Sequence, residues 1–133
     1  MFGQVNLLAV LVGAVISMVL GFLWYSPVLF GNIWLRQIGK SADEISGAAG
    51  AYALSFIAAL VSALVLAFIV GAFGANTLGE GLLIGVVVWI GIGATATFVY
   101  SVFEGPPIGV WLLHGAYQLV VFVIEGALFA VWA

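Results

Sequence analysis

Cysteine is absent from the sequence, which excludes disulfides, thiolate nucleophiles and cysteine-ligated metals or iron–sulfur clusters, and leaves the redox compartment unmarked. Basic residues are almost absent too: Arg36 and Lys40 are the whole complement, against five acids and a single histidine. Charged residues make up 5% of the chain and hydrophobic ones 66%, whereas soluble domains use roughly 25% charged residues. That balance excludes a water-soluble globule of this length. A net charge of −3 is too thinly spread to recruit a basic partner, and two cations cannot make a nucleic-acid surface. One histidine with no second ligand at helical spacing excludes a metal or haem site within one chain, so no metal and no cofactor is expected.

What is present is long apolar runs. Four of them, at about residues 5–28, 42–73, 81–103 and 108–132, are long enough to cross ~30 Å of hydrocarbon at ~1.5 Å per residue. They predict an all-α integral membrane protein, a single domain over 1–133 with four transmembrane helices and the lipid bilayer as its main partner. The first run has no basic leader and no small-residue cleavage site, so it is expected to stay in the mature protein. At its end the stretch GFLWYSPVLFGNIW turns from span to interface: Trp24 and Tyr25 favour headgroup depth, Pro27 breaks the backbone ladder, and Phe30, Ile33 and Trp34 recur at helical spacing. A short interfacial helix is therefore expected over about 29–40, with Asn32, Arg36 and Lys40 on its wet side and Gly39 as C-cap; Ser41 to Glu44 form a capping box for the second span. Because Arg36 and Lys40 are the only Lys or Arg, the positive-inside rule places this loop in the cytoplasm and both termini on the other side.

Small residues mark where helices approach. Gly13, Ser17 and Gly21 follow small-xxx-small spacing on the first span, and Gly81, Gly85, Gly91 and Gly93 make the third span the expected central, most crowded helix, with Thr95, Thr97 and Ser101 following. Gly74 to Glu80 form a short turn, so spans two and three are expected as antiparallel neighbours. Two echoes point to a parallel duplication of a helical hairpin: Tyr25, Ser26 and Gly31 recur as Tyr100, Ser101 and Gly105, and Gly50, Ala51, Tyr52 and Leu54 as Gly115, Ala116, Tyr117 and Leu119.

The pattern Trp24, Tyr25, Ser26, Pro27, Phe30, Gly31, Trp34, then Gly50 to Phe56, then Phe103, Glu104, Gly105, Pro107 and Gly115 to Val120 resembles the short four-span bacterial membrane proteins grouped as domain of unknown function 1761. The resemblance covers nearly the whole chain and implies a four-helix domain of the bacterial inner membrane, with no activity attached. The slot after Tyr117, associated with His in that family, holds Gln118 here.

Chemistry in the hydrocarbon falls to few side chains. His114, Gln118 and Glu125 lie within about 40° of one face of span four, and their counterparts in the repeat, Ala49, Ala53 and Leu60, are apolar. With Thr95 and Thr97 these residues form the candidate ligand or ion pathway. An ionised carboxylate at mid-bilayer costs at least ~2.5 kcal/mol, so Glu125 is expected either neutral and bonded to a carbonyl, Ser or Thr, or handling protons. His114 counts opposite Thr95 to Thr97 and is expected to bond a threonine hydroxyl. Glu104 is expected to cap span four or pair with Arg36. No paired carboxylates and no nucleophile–base pair appear, so no catalytic residue is assigned and an enzyme acting on lipid ranks last. Ahead of it stand a homo-oligomeric permeation or transport protein and a structural or assembly subunit of a larger membrane complex.

Overall fold

The computed structural model describes residues 5–26, 29–38, 49–103 and 108–132. Within them lie helices α1 (Leu7–Trp24), α2 (Gly31–Ile38), α3 (Ala49–Ala72), α4 (Leu78–Val88), a π-helical segment (Trp89–Ala94), α5 (Thr95–Phe103) and α6 (Ile108–Val131). The stretch α4–π–α5 runs unbroken over Leu78–Phe103 and, with α1, α3 and α6, makes four helices long and apolar enough to cross a membrane. The large hydrophobic side chains they expose include Leu8, Phe22, Ile57, Val87 and Leu112, as a lipid-facing surface requires.

Local sequence explains the ends. Asn6 caps α1 by accepting from Ala9 N–H at 3.1 Å, and its amide donates to the Trp132 carbonyl at 3.5 Å, tying the start of α1 to the end of α6. After α1, Gly31 N–H reaches the Ser26 carbonyl at 2.8 Å; a Cβ on Gly31 would sit 2.6 Å from the Ser26 carbonyl carbon, so this position admits only glycine. Gly74 (φ 68°) closes α3 with paired bonds, Gly74 N–H to Gly71 and Ala75 N–H to Val70. Thr77 and Glu80 then open α4 as a reciprocal box: Thr77 Oγ1 accepts from Glu80 N–H at 3.2 Å, while Glu80 accepts from Asn76 N–H at 3.3 Å and from the Thr77 hydroxyl at 2.9 Å. The spacing Thr77-x-x-Glu80 carried that signal in the sequence.

Helix α6, not the third span, is the centre of the bundle: it packs on α1, α3 and α4, whereas α5 has no buried residue. Glycine marks a close approach, which needs only one side. A Cβ on Gly81 would lie 2.8 Å from Ala127 Cα, and one on Gly85 would lie 2.8 Å from the Phe122 carbonyl carbon, whereas Gly91 meets nothing within 4 Å. On another face α6 sets its bulky side chains into the α1 groove of Gly13, Ser17 and Gly21. Ala9, Val10, Ala63, Leu66, Val70, Phe129 and Ala130 complete the core where α1, α3 and α6 meet. Helices α1 and α3 pack together, as do α4 and α6, while α3 and α4 touch little beyond their turn. The expected capping box at Ser41 to Glu44, the C-cap Gly39 and Lys40 lie outside the described residues.

Candidate functional site

Along the α1–α6 seam, small residues of α1 face polar residues of α6. Glu125 is 1% exposed, and neither carboxylate oxygen has a hydrogen-bond partner among the described residues. It lies against the bare backbone of Gly13, where an added methyl would come 3.1 Å from Oε2 and 2.9 Å from the Phe129 ring. This corrects the expectation of a carbonyl, Ser or Thr partner. Ser17, one turn along α1 from Gly13, is engaged by Tyr117, whose phenol donates to the Ser17 carbonyl at 2.6 Å and lies 3.2 Å from Ser17 Oγ. With the phenolic proton committed to the carbonyl, the Ser17 hydroxyl is left as donor to the phenol oxygen.

The interfacial signature condenses around the start of α6. Trp24 donates its indole N–H to the Leu113 carbonyl at 3.2 Å and packs on Phe30 with the rings tilted (centroids 4.7 Å apart). Tyr25 meets Trp34 edge-on at 4.9 Å and Tyr117 at 5.7 Å, and its hydroxyl hydrogen-bonds His114 Nδ1. Ser26 closes the end of α1 by donating to the Leu23 carbonyl at 2.7 Å. Tyr25 thus replaces the threonine expected at His114. Thr97 is claimed instead by Trp111, whose indole N–H donates to its hydroxyl at 3.0 Å, and Thr97 itself donates to the Gly93 carbonyl at 2.8 Å. Thr95 bonds the Gly91 carbonyl at 2.9 Å. These back-bonds reach two carbonyls of the π segment, which loosens the ladder of the third span in a way its composition did not announce.

His114, Gln118 and Thr97 come together on the wall of one cavity of about 550 Å³, which Tyr25 and Tyr100 also line, while Thr95 and Glu125 lie off that wall. A second cavity of about 360 Å³ opens at the other end of the seam, between Asn6, Phe129 and Trp132. Arg36 is exposed on α2 and donates to the Asn32 carbonyl at 3.4 Å. Pro27, Glu104, Gly105 and Pro107 lie outside the described residues, as does any pairing of Glu104 with Arg36. Among the described residues no group of three His, Asp or Glu side chains could hold a metal ion.

Four apolar helices around a seam of sparse polar groups define a small multi-pass membrane protein. The family described as Protein of unknown function (DUF1761) matches residues 8–130, and the chain belongs to it. No curated protein and no solved structure matches the chain.

Proposed function

We propose that the protein is a homo-oligomeric permeation or transport protein in which Glu125 carries a proton. The observation behind this reading is a fully buried carboxyl with both oxygens unpartnered among the described residues. A glutamate kept for packing alone gains nothing over leucine there, because an unsatisfied polar group in hydrocarbon costs stability. A proton-binding group with no fixed partner is, by contrast, free to exchange. The cavity by Asn6 and Trp132 reaches Phe129, which shares the Gly13 groove with Glu125; on the other side Tyr117 and Tyr25 lead toward His114. Among the described residues Gly71, Gly79 and Gly91 meet nothing within 4 Å, which leaves small-residue faces for a second copy.

The test is pH-driven flux in liposomes carrying the purified protein. Wild type is expected to conduct and Glu125→Gln to fold and assemble yet fail, since an amide exchanges no proton near neutral pH. Wild-type liposomes silent from pH 5 to 8 would remove this reading and put the assembly-subunit role first; native mass spectrometry would then show a monomer with other subunits instead of a homo-oligomer.

A further inference from the structure

We infer that the cavity between Tyr25, the π segment and α6 binds an uncharged, lipid-soluble molecule built on a flat ring with oxygen substituents, the chemistry of quinones and alkylphenols. This does not rest on the proton-carrying reading of Glu125, which lies off the cavity wall. At about 550 Å³ the space is in the range that encloses small molecules. Its wall is built from flat surfaces, Trp89, Trp111, Tyr25, Tyr100 and Phe122, which favour an offset or edge-on ring over a flexible chain. The π segment helps open it: Trp89 and Gly93 both line the space, and a Cβ on Gly115 would meet only the Trp89 ring, 3.7 Å away.

The polar atoms decide the ligand's character. Trp111 and Thr97 satisfy each other, so they ask nothing of a ligand. His114 is held through Nδ1 by Tyr25, which leaves Nε2 without a partner among the described residues, and the Gln118 amide has none there either. Both side chains are exposed where they line the cavity, so the amide and the imidazole nitrogen are available to an occupant with donors and acceptors of its own. Among the described residues no charged side chain lines the cavity, so a lipid phosphate or another anion would find no counter-charge there. What fits is a neutral ring whose carbonyl or hydroxyl oxygens meet Gln118 and His114.

The experiment is tryptophan quenching by decylubiquinone on the intact protein in nanodiscs, because Trp89 and Trp111 lie on the wall. Saturable quenching is expected, with the midpoint raised about tenfold in Gln118→Leu, the loss of one hydrogen bond to the ligand, and similarly in His114→Phe. An excess of 1-decanol, which has the chain but no ring, should not displace the probe. Quenching that rises linearly without saturation, equal midpoints in wild type and in whichever of the two variants folds, or displacement by 1-decanol would each overturn the assignment.

Discussion

Tyr117 on α6 donates its phenolic proton to the main-chain carbonyl of Ser17 on α1, 2.6 Å away, and pins two helices whose sequences lie a hundred residues apart. A carbonyl inside a helix already accepts one bond, so this is a second bond to the same oxygen, accessible because Ser17 and Gly21 leave the α1 surface open. Tyr117→Phe keeps the ring and deletes the bond. It should cost about 1 kcal/mol in reversible unfolding from detergent, the scale of polar contacts between bilayer helices, while Ser17→Ala should cost less because the carbonyl remains. A larger loss from Ser17→Ala would mean that the hydroxyl is the main acceptor.

Glu125 separates folding from function. Since no partner among the described residues is left stranded when it is removed, Glu125→Leu should be neutral or stabilising in the same unfolding measurement, contrary to what a hydrogen-bonded packing site requires. A destabilised Leu variant would reveal a partner, and with it a structural role for the carboxyl.

The α4–α6 contact is backbone to backbone, so it should tolerate no methyl. Gly81→Ala is expected to destabilise by ~1–3 kcal/mol, as over-packing does, whereas Gly79→Ala, with nothing within 4 Å, should stay within about 0.5 kcal/mol of wild type. Equal effects at the two sites would place α6 further from α4.

The Thr77–Glu80 box should stiffen the entry to α4. Glu80→Ala removes the acceptor for both Asn76 N–H and the Thr77 hydroxyl, and an expected loss of about 1 kcal/mol should come with faster amide exchange at residues 76–80. Unchanged exchange there would show that the tight Gly74 turn holds the end alone.

The positive-inside rule, applied to Arg36 and Lys40, predicts the orientation. Both Asn32 and Asn76 are exposed, at opposite ends of the bundle. With an impermeant thiol reagent on intact cells, Asn76→Cys should label and Asn32→Cys should label only after permeabilisation. The reverse pattern inverts the topology.

Much of this was legible residue by residue. Hydrocarbon is an unforgiving solvent, so run lengths near 24 residues and the scarcity of charge were enough to place the spans. The short helix after Trp24 was legible too, Gly31–Ile38 falling within the expected 29–40, because Phe30, Ile33 and Trp34 recur at helical spacing. The small-residue triplet Gly13, Ser17, Gly21 announced a groove, though not what would fill it.

Partner choice was decided by tertiary structure alone. Counting depth along antiparallel helices put His114 opposite Thr97, but depth fixes only height. Azimuth around each helix gave His114 to Tyr25 on α1 and Thr97 to Trp111, and it aimed Glu125 at a glycine instead of a hydroxyl. The glycine count of the third span likewise pointed to a crowded centre, yet α6 holds that place, because which faces meet depends on the rotation and lateral order of four helices with few polar constraints. The sequence by itself determined the solvent, the spans and the inventory of polar groups. Only the packed bundle determined which of those groups are satisfied and which, like Glu125 and Gln118, are left with chemistry to offer.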